Sequence, residues 1–489
     1  MIQSAKIARN TLFRSSAVGS RRAFTATSLA FNNNNDKSDR TRRELDSSPV
    51  PSSRVSRLFH YGSLATGVGL GAITESLKRV VSDSSSSSGS NGSVLLSPAN
   101  VNRIVKKFSQ MRGAVLKIGQ LISFQDAKFL APEVQTILER VQNGANYMPK
   151  RQLERVMAQN LPGGKDWRET TFARFDDYPI AAASIGQVHS AQLQSGEEVA
   201  VKVQYPGVAD SIDSDLNNLM ILLTASRFLP EGLFLDKTID NARVELKWEC
   251  DYKREAAALD KFRSLLADDP VFEVPKVFHA ASTANVLTMQ RMPGVEITKN
   301  LAALDQPTKN WIATHIMRLC LLEIARFKYM QTDPNWANFL YNKETQKIEL
   351  LDFGAARGYS DTFIADYLGV LRAAVMRDRE ACRVYSLKLG YLTGLESPAM
   401  LEAHIDSILV LGEPFATNGN YDFRNQTVTE RVRENIGVML NERLTPPPEE
   451  TYGLHRKLSG AFLLCAKMNA QVPCHDLFKE IVGLEPAQE

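Results

Sequence analysis

Apolar positions along the chain change period several times, and each change marks an element. After Ser97-Pro98, a helix-start signal, Ile104, Phe108, Met111, Val115, Ile118 and Ile122 recur every three or four residues, which predicts an amphipathic helix. More helix is expected over 132–142 and 150–160. The period then drops to two: 185–193 and 198–204 read as strands joined by a turn at Gln194-Ser195-Gly196. In the return strand Val199, Val201 and Val203 share one face while Ala200 and Lys202 share the other. Residues 245–261, rich in charge and alanine, predict one helix, and 286–289 a buried strand followed by the polar stretch Gln290-Arg291-Met292-Pro293-Gly294. A polar hairpin and an apolar run lead to Asp352-Phe353-Gly354. A helix is expected over 361–376 and mainly helix to the C-terminus, with breaks at Gly412-Glu413-Pro414 and Pro446-Pro447-Pro448. Residues 451–468 read as an apolar core helix.

Upstream of this globular pattern the chain is different in kind. Residues 1–31 carry Lys6, Arg9, Arg14, Arg21 and Arg22, many small and hydroxylic residues, and no acid before Asp36, the composition of a mitochondrial presequence. Arg22-Ala23-Phe24 with Thr27 resembles a processing site, which places the mature end near Phe31 or Asn32. Residues 32–57 read as a linker. Residues 58–77 form a small-residue apolar segment, shorter in its core than the roughly 20 residues of a spanning helix. Ser63, Gly67 and Gly71 at four-residue spacing would let two helices approach closely and form a homodimer contact. Glu75 argues against a deep span, so a membrane-associated helix and a soluble docking helix both stay open. A serine-rich stretch, 78–96, follows.

Composition adds exclusions. With 489 residues and 44% hydrophobic content the chain can bury a large core, and a net charge of only +3 gives no case for nucleic-acid binding. Five cysteines without a CxxC pair argue against a zinc site or disulfide framework.

Candidate chemistry concentrates in 330–355. Asp333, Asn338 and Asp352-Phe353-Gly354 follow the order in which kinases place a base, a metal-binding asparagine and a metal-binding aspartate. Phosphoryl transfer needs an acid to orient a hydroxyl or water and hard oxygen ligands to hold Mg²⁺ against phosphates. Val199-Ala200-Val201-Lys202 matches the strand whose lysine holds the α- and β-phosphates. Glu255 is the expected partner that fixes that ammonium. Asp251 and Glu255 are expected on one helical face. Met289, Gln290, Arg291 and Met292 would meet adenine. The loop before the lysine departs from the pattern: Ala181, Ala182, Ala183 and Ser184 stand where glycines usually do, so phosphates should be held differently. Only six residues separate Gly354 from the helix at Asp361, and no Ala-Pro-Glu follows, which leaves little platform for a peptide substrate.

Taken together, Lys117-Ile118-Gly119-Gln120, Ala181-Ala182-Ala183-Ser184, Glu249-Cys250-Asp251 and Asp333…Asn338…Asp352 closely resemble the UbiB atypical kinase-like family, over most of the chain beyond the presequence and serine tract. The resemblance implies an α+β, two-lobed kinase-like fold: a helical extension over 97–170, an N-lobe with a helical insertion over 171–290 and a C-lobe over 291–489. It implies that Lys117 and Gln120 fold over the site to face Glu249 and Asp251 and gate access to it, and that the cofactors are ATP/ADP and Mg²⁺. It implies ATP hydrolysis in support of the coenzyme Q biosynthetic enzymes on the matrix face of the mitochondrial inner membrane, beside lipid and hydrophobic quinone precursors. Two alternatives stay open: a kinase for a small or prenylated substrate, and a non-catalytic, nucleotide-responsive scaffold. Gln331-Thr332 replaces the usual His-Arg before Asp333, so the base must be supported by a different scaffold.

Overall fold

The computed structural model describes residues 59–60, 62–64, 66–67, 97–111, 136–137, 140, 147–226 and 235–485. The presequence, the linker, the serine tract, Gly71, Lys117 and Gln120 lie outside the described residues.

Helix α1 (Pro98–Met111) starts where the sequence signalled, with Ser97 Oγ accepting the Asn100 N–H at 3.4 Å. It buries Val101, Ile104, Val105 and Phe108. Upstream residues reach it: Arg103 donates to the Gly67 carbonyl at 3.1 Å and Lys107 meets His60, while Leu64 joins the core. Ser63 Oγ bonds back to the His60 carbonyl within its own turn. A Cβ at Gly67 would lie 3.8 Å from Arg103, an ordinary contact with α1 of the same chain. Among the described residues no helix is long and apolar enough to cross a membrane.

Helix α2 (Lys150–Asn160) buries Leu153, Val156 and Met157. The sheet that follows runs β1 (Phe172–Phe175), β3 (Gly186–Leu193), β4 (Glu198–Gln204), β5 (Val286–Gln290), with β2 (Ala181–Ala182) also on β3, all antiparallel. The alternation in β4 is as expected, but both faces are covered: Val199, Val201 and Val203 have no exposure, and Lys202 is also buried. Gly186 permits this closeness, since a Cβ there would come within 2.6 Å of the Val203 carbonyl and 2.7 Å of the Tyr252 hydroxyl. Trp167 anchors the sheet's far end, edge-on to Phe172 and Phe175.

Helices α3 (Val208–Ser226), α4 (Leu235–Glu249) and α5 (Tyr252–Leu265) form the insertion. The sequence reading of one helix over 245–261 is corrected here. The chain breaks at Cys250-Asp251, where Asp251 leaves helical geometry (φ −97°, ψ 87°) and accepts the N–H groups of Lys253 and Arg254 as the cap of α5. A short side chain that satisfies two orphan donors favours ending one helix and starting another over running through. Asp251 is therefore not on a helical face with Glu255.

The two-residue strand Phe272–Glu273 pairs parallel with Lys347–Leu350 of the second sheet. The lower lobe contains β6 (Val295–Glu296), α6 (Gln306–Ala325), β7 (Tyr329–Gln331), β8 (Phe339–Asn342), β9 (Lys347–Leu350) and β10 (Ala356–Gly358). There follow α7 (Asp361–Val375), α8 (Arg379–Lys388), α9 (Pro398–Ala416), α10 (Val428–Glu442), α11 (Glu449–Lys467) and α12 (Cys474–Ile481). The break expected at Gly412-Glu413-Pro414 is absent. Helix α9 runs through it because Gly412 lets α9 lie against Ala374 of α7, where a Cβ would sit 2.6 Å from the alanine methyl. Burial of Pro414 and Phe415 offsets the missing proline N–H bond near the helix end. The triple-proline break holds, between α10 and α11. Phe415, Phe423, Phe462 and Phe478 form the aromatic centre of this lobe. All five cysteines are buried and none is in a disulfide.

Candidate active site

The site lies where β4, α5 and the β7–β10 region converge. Lys202 Nζ reaches Glu255 Oε1 at 2.7 Å and Oε2 at 2.8 Å, and Asp352 Oδ2 at 3.2 Å. The Glu255 side chain has no exposure and Lys202 has 8%, whereas Asp352 keeps 36%. Burial disfavours charge on both members of the inner pair. For Lys202 the two carboxylates more than offset it, so the ammonium is held charged well above its ordinary range. For Glu255, burial, with Asp352 adding to it, pushes the carboxyl up to about 7 against the pull of Lys202. A lysine held this firmly presents one fixed positive charge to whatever enters beside Asp352.

Asp352 is fixed in turn. Its Oδ1 accepts the Gly354 N–H at 2.9 Å and its carbonyl accepts from the Gln331 amide. Phe353 packs under α5, its ring 4.5 Å from that of Phe262. Arg254, one residue before Glu255, stacks on Trp248 and donates to the Gly354 and Ala356 carbonyls, tying the helix that carries Glu255 to the Asp-Phe-Gly turn. Glu249, at the end of α4, lies over that turn: a Cβ on Gly354 would be 3.5 Å from its Cγ.

Asp333 and Asn338 face each other, Asn338 Nδ2 donating to Asp333 Oδ2 at 3.3 Å, while Asp333 Oδ1 accepts the Asn335 N–H. The replacement of His-Arg by Gln331-Thr332 acquires a structural meaning here. Gln331 bonds the Asp352 carbonyl and the Asp333 N–H, and Thr332 Oγ1 donates to the Ala355 carbonyl at 2.9 Å. The loop of Asp333 is thus bolted to the Asp-Phe-Gly turn by neutral side chains. Behind it stands Arg456 of α11, which donates to Glu245 at 2.7 Å and, more distantly, to the Thr332 carbonyl. Burial opposes its charge, but Glu245, then Asp333 and Glu249, hold the guanidinium raised above its ordinary value. Next to it, Lys457 pairs with the buried Glu323, which accepts the Gln331 N–H. Sequence reading missed both cations, since α11 reads as an apolar core helix; Arg456-Lys457 in the middle of that pattern was the available signal.

The nucleotide-side residues are placed as follows. Ala181 and Ala182 form β2 opposite Val188 and Gln187, and the Ala183 N–H closes a turn onto the Gly186 carbonyl at 2.8 Å, with Ser184 inside that turn. Met289 is buried opposite Ala200. The N–H groups of Gln290, Arg291 and Gly294 are taken by Lys276, Glu198 and Glu349 respectively. Arg291 turns its side chain to Ser190, away from the stretch that follows. Among the described residues no acceptor meets the N–H of Met292, although that residue is only 1% exposed. Asp251, one of the expected gating residues, is committed to capping α5. Lys117 and Gln120 lie outside the described residues.

Strand β10 pairs antiparallel with β7, so the chain after Gly354 folds directly onto the Asp333 loop. No extended platform intervenes before α7.

Comparisons place this arrangement. A family profile described as "ABC1 atypical kinase-like domain" matches residues 140–386. The Atypical kinase COQ8, mitochondrial, of Saccharomyces cerevisiae is 62% identical over 439 residues, covering 89% of this chain and 86% of that protein. The protein of the same name from Schizosaccharomyces pombe is 54% identical over 89% of this chain and 70% of its own length, and Atypical kinase COQ8B, mitochondrial, of Rattus norvegicus is 46% identical over 91% and 82%. Among solved structures, the Rv3197-erythromycin complex from Mycobacterium tuberculosis superposes with a TM-score of 0.54 at 24% identity, over 79% of this chain and 96% of that one, a likeness of fold alone. The α+β kinase-like fold and the family read from the four motifs are borne out, and the chain belongs to the ABC1 atypical kinase-like family.

Proposed function

We propose that this chain is an atypical kinase-like ATPase that supports coenzyme Q biosynthesis in mitochondria. The observation that carries the reading is the buried Lys202–Glu255 pair meeting Asp352 beside Asp333 and Asn338. A polar cluster of this composition, assembled at the cost of burying the Lys202–Glu255 pair, is what phosphate handling needs and what packing alone does not.

In this reading ATP binds between the lobes, with adenine accepting from the otherwise unmet Met292 N–H and phosphates on Lys202 and the Ala181–Ser184 turn. Glu255 keeps Lys202 in place, and Asp333 orients the attacking water or hydroxyl. Asn338 and Asp352 suit Mg²⁺. Among the described residues no three His, Cys, Asp or Glu side chains converge, so the protein offers a partial set of hard oxygen donors that phosphate oxygens and water must complete. Bound there, Mg²⁺ would neutralise charge on the transferring phosphoryl group. Glu249 beside the Asp-Phe-Gly turn, with Asp251, Lys117 and Gln120, would control access.

The pairing of β10 with β7 favours water or a small hydroxyl over a peptide as acceptor, because the segment that would present a peptide is folded onto the catalytic loop. A kinase acting on a prenylated quinone precursor is therefore the second reading. We place the protein on the matrix side of the inner membrane, near the coenzyme Q biosynthetic enzymes, with residues 58–77 as the membrane-associated segment and residues 1–31 as the presequence. Measuring free phosphate against phosphorylated product, with purified protein, MgATP and phenols resembling quinone precursors, separates the readings: free phosphate in stoichiometry with ADP supports the ATPase, and phosphorylated phenol the kinase.

A further inference from the structure

The C-terminal lobe contains a cavity of about 110 Å³ between α7, α9 and α11, away from the nucleotide site. Its walls are mainly apolar and aromatic, Leu371, Ile408 and Leu458 together with the rings of Tyr367 and Tyr391. Two polar side chains on its lining have no use in the fold. Arg443 lines it with a buried Nε that meets no hydrogen-bond partner, and no carboxylate pairs with its guanidinium among the described residues. Burial pulls its pKa down, and only the phenols of Tyr452 and Tyr391 push back, so nothing nearby supplies a counter-charge. His455 sits between the rings of Tyr367 and Tyr391, at 5.9 and 6.1 Å, keeps an accessible face, and has no hydrogen bond among the described residues. By contrast His404 and Thr451 are satisfied, by Ser386 and the Tyr391 hydroxyl.

We infer that this cavity is a ligand site for a single-ring aromatic carboxylate. A guanidinium whose Nε is buried without a partner costs free energy that a carboxylate would recover through charge-assisted hydrogen bonds. Aromatic and aliphatic walls match the faces of a ring. The site is adjacent in sequence to a support of the catalytic loop, because His455 precedes Arg456, whose guanidinium reaches the Thr332 carbonyl and Glu245. An occupant is therefore one residue from a support of Asp333.

Benzoate, titrated calorimetrically into the full mature chain, tests this, with benzyl alcohol as its neutral counterpart. Benzoate should bind, benzyl alcohol about tenfold or more weakly, and a non-hydrolysable ATP analogue should not displace benzoate. Arg443→Gln should weaken benzoate about tenfold or more, and Leu371→Phe should block it by filling the ring position. Arg443→Gln should also leave the melting temperature unchanged or raised, because it removes an uncompensated charge. Undiminished binding to Arg443→Gln, displacement by nucleotide, or no benzoate binding at millimolar concentration would overturn the inference. So would a marked fall in the melting temperature of Arg443→Gln, which would make Arg443 a structural residue.

Discussion

Replacing Arg456 by leucine should cost both stability and activity, by separable routes. Its guanidinium and the Glu245 carboxylate are 2.7 Å apart and each side chain is 11% exposed, so the pair is neither solvent-screened nor fully dry. Solvent-exposed pairs are worth at most about 1 kcal/mol, whereas removing one partner of a buried pair costs about 3–5 kcal/mol. The small exposure puts the loss near the lower end, about 3 kcal/mol. A second bound agrees: a carboxylate deprived of its partner can take up a proton, and for an ordinary glutamate at pH 7 this costs about 3.7 kcal/mol. For a chain this size a loss of about 3 kcal/mol lowers the melting temperature by roughly 3 °C. The double variant Arg456→Leu/Glu245→Leu should regain about 2 kcal/mol, because no buried carboxylate is then stranded. Phosphate release should fall about tenfold or more in the single variant and stay low in the double, since neither restores the guanidinium behind Thr332 and Asp333. Thermal melts and phosphate release on the four proteins of this cycle test the argument. Strictly additive stability changes, or recovery of activity in the double variant, would refute it.

Other consequences follow from single contacts. Glu255→Gln should keep the fold but lower hydrolysis at least about tenfold, measured by phosphate release, because a neutral amide no longer anchors the Lys202 ammonium. His189 is buried, its Nδ1 donating to the Asp176 carbonyl and its Nε2 accepting from Gln187, and burial pushes its pKa from 6.5 down to about 4. Its folded pKa is depressed, so the stability it contributes is present above pH 6.5 and lost as pH falls toward 4. The effect is on the order of 3 kcal/mol, and urea unfolding of His189→Gln should show a shallower loss over that window. Gly294→Ala would put a methyl 2.5 Å from Glu349 Oε2 and 2.9 Å from the Leu340 Cβ, and should destabilise by about 1–3 kcal/mol in thermal melts. Deleting residues 59–73 should weaken carbonate-resistant membrane pelleting without abolishing nucleotide binding. Because Leu64 joins the core, it should also lower the melting temperature.

What was legible in the sequence was whatever local pattern decides. Lys202 on an alternating strand, Asp333 and Asn338 five apart, and the Asp-Phe-Gly turn are set by spacing, and the structure brings Lys202 within bonding distance of both Glu255 and Asp352. Where packing or capping decides, pattern failed. The helix read through 250–251 is split because a short carboxylate at Asp251 satisfies two backbone donors, which periodicity does not register. Helix α9 persists past Gly412 because Ala374 of another helix fills the space a side chain would need. Arg456 was hidden because its partners, Glu245 and Thr332, are 211 and 124 residues away in the chain.

The most direct test of the account is phosphate release from MgATP by protein beginning near Asn32, with and without phenols resembling quinone precursors and anionic liposomes, comparing wild type with Asp352→Asn. The account predicts release in the wild type that rises with phenol or liposome and disappears in the variant. Wild-type protein that binds nucleotide yet releases no phosphate under any of these conditions would contradict it and shift the assignment to a dedicated small-molecule kinase or a non-catalytic scaffold.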